Sequence, residues 1–124
     1  SLFIDYGYEN GFGETLQALN QHSFSDPLAN LGETDLTSHV NFRNIFNLVR
    51  RKGLRASELQ NQRSFLLGLG ILERAEILAK KMSEKQKELH YNAINRLIDS
   101  DQMGNLFKVI GFTNINSPLL PILE

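Results

Sequence analysis

Two stretches of this chain read as strongly apolar strands, and their scarcity limits the fold more than any other feature. The first is Leu2-Phe3-Ile4, followed by Asp5-Tyr6-Gly7; the second is Leu106-Phe107-Lys108-Val109-Ile110-Gly111-Phe112. An uninterrupted apolar run such as the first predicts a strand covered on both faces, the habit of central strands in parallel sheets. A central strand needs neighbours, and 124 residues with one other strong strand supply few. The chain therefore reads as a piece of something larger. The expectation is an incomplete α/β layer in which the strands at 2–6 and 106–112 lie adjacent or nearly so. Without its full cover, such a sheet should show an apolar patch larger than a few hundred Å2, or bury that patch against a second copy.

Composition narrows the function classes. The chain is 41% hydrophobic and 22% charged, enough for one core and too apolar for a disordered polymer. Its length suits one domain over 1–124. No apolar run approaches the ~20 residues that span a bilayer, so no membrane partner is expected. The opening has no basic leader before its apolar stretch, unlike a signal peptide. Absence of cysteine excludes a disulfide scaffold, a thiolate zinc site and cysteine catalysis. A net charge of −1 offers no general attraction for nucleic acid or anionic lipid. A soluble, intracellular domain is the expectation.

Between the two strands the pattern is mixed. Gly7, Gly11 and Gly13 fall within eight residues and suit a mobile turn or a close backbone approach. A short strand is expected over 15–19 and a loop over 20–35, with turn signals at Asp26-Pro27 and Asn30-Leu31-Gly32. Asn41 is a good N-cap for a helix whose Phe42, Ile45, Phe46 and Val49 make one apolar face. Arg50, Arg51 and Lys52 oppose the negative end of its dipole, and Gly53 ends it. A short strand over 54–59 precedes a second helix, expected from about Arg63 to Lys81 with Leu67, Ile71, Ala75, Leu78 and Met82 on one side. Gly68 and Gly70 weaken its first half by ~1 kcal/mol each against Ala. Ser83-Glu84-Lys85-Gln86 is a capping-box pattern opening a third helix, with Leu89, Ala93 and Leu97 inward. Met103-Gly104 breaks it, His90 reads as solvated, and Pro118–Pro121 as irregular.

The polar residues with chemical potential cluster in two runs: His22 and Asp26, then Glu33, Asp35, Thr37, His39 and Asn41. His22-x-x-x-Asp26 and Asp35-x-x-x-His39 invite a metal reading. The spacings match no metal signature, however, and bracing of turns by polar loop residues is the favoured reading. Hydrolysis by a Ser/His/Asp set lacks a Gly-x-Ser-x-Gly elbow. A dinucleotide fingerprint at Gly7–Gly13 would need a helix directly after it, where a strand is expected. The run Arg50-Arg51-Lys52 with Arg55 is explained by charge at a helix end, without an RNA partner. Composition and spacing stop at an α/β piece with one polar loop cluster.

The residues themselves go further. Phe3-Ile4-Asp5-Tyr6-Gly7-Tyr8, Gly13-Glu14-Thr15-Leu16-Gln17-Ala18 and His22 form the first part of an ordered set. Gly32-Glu33-x-Asp35-Leu36-Thr37-x-His39-Val40-x-Phe42 and Gln62-x-x-Phe65-Leu66-Leu67-x-Leu69-Gly70-Ile71 continue it. Arg96-Leu97-Ile98 and Met103-Gly104-x-Leu106-Phe107-Lys108-Val109 complete it. Order and spacing resemble the C-terminal part of the MidA family of class I S-adenosylmethionine-dependent methyltransferases. Mitochondrial members of that family methylate a protein arginine and support assembly of respiratory complex I. The resemblance runs from Leu2 to about Val109. Asn41 stands where the family usually has Asp, and Asn61 where Thr is usual. The family's glycine-rich cofactor loop would lie upstream of Ser1.

The resemblance implies a Rossmann-like class I methyltransferase sheet flanked by about three helices. In it, Leu2–Tyr6 would be the fifth strand, and Leu106–Phe112 the last, antiparallel one. It implies S-adenosylmethionine as cofactor of the intact protein, with no cofactor contact expected from this segment alone and no metal. It also implies a protein substrate offering an arginine, and a cytoplasmic site in a bacterium or the mitochondrial matrix in a eukaryote. Methyl transfer from a sulfonium to a guanidinium nitrogen is an in-line displacement that depends mostly on positioning. Carboxylates hold a guanidinium best, which makes Asp5, Glu14, Glu33 and Asp35 candidates. Asp5 is attractive at the end of a central strand, although a turn brace explains it equally well. His22 and His39 are candidate proton acceptors, and Tyr6, Tyr8, Thr37 and Gln62 complete the expected substrate side. A non-catalytic binding or assembly module derived from the same fold is the alternative.

Overall fold

The computed structural model describes every residue except Phe12, His22, Leu31 and Glu124. The strand β1 (Leu2–Tyr8) opens the chain. After it comes a small unit of β2 (Gln17–Asn20), β3 (Ser23–Ser25) and β4 (Asp35–Thr37). Then follow β5 (Val40–Asn41), α1 (Phe42–Arg51), β6 (Leu54–Ala56), β7 (Gln60–Asn61) and α2 (Gln62–Gly68). The chain continues through α3 (Ile71–Ala79), α4 (Glu84–Ile98), the short α5 (Met103–Leu106) and β8 (Phe107–Asn114). The chain is irregular over 118–120, as expected, and makes a 3-10 turn at Pro121–Leu123.

The two apolar strands are neighbours. β1 and β8 pair antiparallel from Leu2 opposite Gly111 to Tyr6 opposite Phe107. β6 and β7 pair antiparallel with β8 on its other side, and β5 adds a short parallel pair to β1 at Gly7 and Tyr8. β1 and β6 thus run the same way with β8 reversed between them, and α1 lies between them in sequence as the crossover. That is the last, antiparallel strand the sequence leads one to expect. The covered strand is β8, however, not β1. Val109 and Ile110 are fully buried, each worth about 1.5–3 kcal/mol, whereas Leu2, Phe3 and Ile4 stay between 41% and 48% exposed. Val109 packs with Phe65 of α2 and Leu123 on one face. Ile110 lies beside Phe42, Phe46 and Leu59 on the other. Among the described residues nothing covers β1 in the same way: its apolar run specifies a strand made to be covered, and the covering elements here sit over β8.

Local rules account for the helix boundaries, with corrections. The Asn41 side chain accepts from the backbone N–H of Asn44 at 3.1 Å, the cap expected of it, and Gly53 leaves α1 at φ +72°. The capping box at Ser83 and Gln86 is complete. The single helix expected over 63–81 is two helices, because Gly70 takes the left-handed conformation at φ +78° and turns the chain. On α3 the buried positions are Ala75 and Ala79, and Leu78 is exposed. On α4 the inward side is His90, Ile94, Leu97 and Ile98, while Leu89 is 64% exposed and Ala93 also faces outward. His90 is not solvated: its Nε2 lies 3.1 Å from the Ala75 carbonyl oxygen, joining α4 to α3. Lastly, the loop expected over 20–35 contains β3 and ends at β4.

Candidate functional site

β1 presents alternate residues to opposite faces, so Tyr6 and Tyr8 share one face and Asp5 lies on the other. On the tyrosine face the chain brings in His39, between β4 and β5. The His39 ring centroid is 5.5 Å from that of Tyr6, edge to face, and 4.8 Å from that of Tyr8. Phe107, opposite Tyr6 across the β1–β8 pair, extends the aromatic row at 5.6 Å. The His39 backbone N–H donates to Thr15 Oγ1 at 3.1 Å, which fixes the segment beside the glycine-rich stretch. Among the described residues, His39 Nδ1 is the buried side-chain polar atom left without a hydrogen-bond partner. Such atoms are rare because an unmet buried group costs about 1–3 kcal/mol. Tyr8, by contrast, is 46% exposed and offers part of its ring to solvent.

The backbone around this group is tightly specified. Gly7 faces Val40 so closely that an added Cβ would lie 2.1 Å from the Val40 carbonyl oxygen. The glycine thus serves the β1–β5 pairing, which holds Tyr8 and His39 together. Asn41 adds a second tie: its Nδ2 donates to the Gly11 carbonyl at 3.1 Å while its oxygen caps α1. An aspartate, usual here in the resembled family, could cap but could not donate.

The other expected site residues are dispersed. Asp5 does not end its strand, which continues to Tyr8; its Oδ1 accepts from the Tyr6 backbone N–H at 2.8 Å. Across the sheet it faces Lys108 in register. Glu14 and Glu33 are exposed in loops. Asp35 and Thr37 lie on β4, opposite Leu19 and Gln17 of β2. Gln62 is buried, and its Nε2 donates to the Leu97 carbonyl at 2.9 Å, tying α2 to α4. His22 lies outside the described residues. Among those described, no three His, Cys, Asp or Glu side chains converge as a metal set, and no helix is long and apolar enough to cross a membrane. The Lys87 pKa is raised by the hydrogen bond and charge of Glu84, on the surface of α4. Sequence reasoning listed Tyr6, Tyr8 and His39 separately but missed that they form one group. The signal available was i, i+2 spacing of the tyrosines on a strand.

Residues 1–60 match the family model described as "Putative S-adenosyl-L-methionine-dependent methyltransferase". A curated relative, "Protein arginine methyltransferase NDUFAF7 homolog, mitochondrial" of Drosophila melanogaster, is 30% identical over 89% of this chain and 25% of its own length. "Protein arginine methyltransferase NDUFAF7, mitochondrial" of Danio rerio is 25% identical over 92% of this chain and 27% of its own. An uncharacterized superfamily protein from Burkholderia thailandensis, known from a crystal structure, superposes at a TM-score of 0.83 with 31% identity. It covers 98% of this chain and 34% of its own. A member of the same superfamily from that organism, crystallised bound to S-adenosyl-homocysteine, gives 0.82 and 29% over 98% of this chain and 33% of its own. The chain spans about a quarter of the length of the curated relatives and a third of the solved ones. Residue blocks, family model and solved folds agree in making the chain similar to the MidA family of S-adenosylmethionine-dependent methyltransferases.

Proposed function

We propose that this chain is the acceptor-side part of a protein arginine methyltransferase, and that Tyr6, Tyr8 and His39 face the arginine. The observation that carries this reading is the superposition of 98% of the chain on a protein holding S-adenosyl-homocysteine. The aromatic group lies toward the carboxyl end of β1, the side on which open α/β sheets gather ligands. The residues of this chain do not themselves fit the cofactor. The glycine-rich stretch leads into β2 rather than a helix, and Gly7 is committed to Val40. The cofactor grip is assigned to the part of the intact protein beyond this chain.

What this chain supplies is a place for the guanidinium. The exposed part of the Tyr8 ring can carry a cation on its face, worth about 0.5–2 kcal/mol. With its proton on Nε2, His39 keeps Nδ1 as an acceptor; a shift of the neighbouring Tyr8 ring that uncovers this buried atom lets a guanidinium N–H reach it, and the same imidazole can hold a proton leaving that nitrogen. The protein substrate, the link to respiratory complex I assembly, and a mitochondrial matrix or bacterial cytoplasmic setting belong to the same proposal. In the full-length protein, His39→Phe should lower methyl transfer from labelled S-adenosylmethionine roughly 100-fold or more. Tyr8→Ala should lower it about tenfold. Cofactor affinity by calorimetric titration should be nearly unchanged in both. Asp5→Ala, on the opposite face, should remain near wild type. Wild-type transfer by both aromatic-face variants would overturn the reading, and a loss confined to Asp5→Ala would move the acceptor to the other face.

A further inference from the structure

Charge is distributed along this chain in two blocks. Through residue 42 there is no Lys or Arg, and the charged side chains are Asp5, Glu9, Glu14, Asp26, Glu33 and Asp35; all 13 Lys and Arg begin at Arg43. Glu9 is paired with Arg43, and Asp26 Oδ1 accepts from the Leu28 backbone N–H. Glu14, Glu33 and Asp35 are exposed.

The small sheet β3-β2-β4 carries an unpartnered face amid these acids. Its register places Phe24 opposite Leu19 and Leu19 opposite Asp35, so the three form one row across the sheet. Gln17 and Thr37, paired two residues along, share that face. The reverse face holds Ala18, which is buried, and Leu36, which is 57% exposed; with Phe24 at 78% the Phe24 face is the more open of the two. Phe24 is 78% exposed, an outlay of apolar surface that folding of this unit does not require. An apolar ring in one row with a carboxylate that has no ion-pair partner among the described residues marks an interaction surface rather than an ordinary solvated one.

We propose that this outer face docks a cationic, apolar-bearing segment of the protein substrate, with Phe24 and Leu19 receiving its apolar residue and Asp35 and Glu33 its lysines or arginines. The inference rests on the arginine-acceptor reading above and adds the character of the sequence around that arginine. Complementarity favours this occupant over a second copy docked arm to arm, because two such acidic faces repel each other. Both strands at the edges of the unit are three residues long, so side chains rather than strand addition provide the grip.

The test uses the full-length protein and two fluorescein-labelled dodecapeptides of alternating sequence, one of arginine and leucine, the other of glutamate and leucine. Anisotropy should show the basic peptide binding and the acidic one not, with affinity falling as salt rises from 50 to 300 mM. Phe24→Ala should weaken binding about tenfold. Asp35→Lys with Glu33→Lys should abolish it and admit the acidic peptide. Circular dichroism of each variant checks that the fold is kept, which the exposure of all three positions favours. Binding of the basic peptide that is indifferent to Phe24 and to the charge reversal overturns the docking proposal, as does a change of oligomeric state by sedimentation without a change in peptide affinity. Methylation is read separately. Docking that follows these rules in a protein that transfers no methyl group to arginine leaves the surface standing and sinks the acceptor reading.

Discussion

Ser57 shows how a single polar atom can matter more than its type suggests. It is 1% exposed, its Oγ accepts from the Gly111 backbone N–H at 2.9 Å, and it donates to the Glu58 carbonyl. Removing the hydroxyl strands a buried N–H in the covered strand. Ser57→Ala should therefore cost about 1–3 kcal/mol, read as a lower denaturant midpoint with unchanged slope. Asn41→Ala removes both the cap of α1 and the tie to Gly11, and should cost about 1–2 kcal/mol in the same assay. The Asn41 cap was legible in the sequence because capping is local. Ser57, Gln62 and His90 were not, since each is fixed by a partner 15 to 54 positions away. The aromatic group at His39 falls between these cases: its members could be named, but their meeting depends on the β1–β5 pairing.

At the scale of elements, periodicity located α1 and α4 and failed to orient α4. Its outer side carries Leu89 and Ala93, so counting apolar residues selected a face that packing leaves exposed, while the polar His90 turns inward. Long polar side chains can lay their stems or rings against a neighbour while meeting a polar partner, as His90 does with Ala75. The break between α2 and α3 rests on Gly70. An added Cβ there would meet the end of the Glu73 side chain at 3.3 Å, which can move, so the penalty is conformational. Gly70→Ala should destabilise by about 1–2 kcal/mol. Gly68→Ala differs in kind, because its Cβ would fall 2.2 Å from Ile122 Cδ1, the tip of a side chain that must turn aside. Of the β2–β3 hairpin the sequence reading found the first strand, expected over 15–19, and missed β3, which at three residues is too short to show alternation.

For the whole molecule, the expectation of an apolar sheet short of cover agrees with the exposure of Leu2, Phe3 and Ile4. A preparation of these 124 residues alone should bind a hydrophobic dye or self-associate in sedimentation. Replacing the three with threonine should abolish that behaviour. The same preparation should give no heat on titration with S-adenosylmethionine; clear binding would place cofactor contacts within this chain. The pairing of β1 with β8 has one more consequence, for the order of events on the ribosome. Leu2 waits for Gly111, 109 positions on, and the strand between β1 and β6 is made after both. Contacts of such separation slow folding, and at about 5–20 residues per second the emerging chain spends seconds with β1 lacking its β8 partner. A nascent chain halted at residue 105 should display the helical signal of α4 while amides 2–8 exchange as freely as those of a coil, leaving Leu2–Ile4 open to a chaperone until β8 arrives.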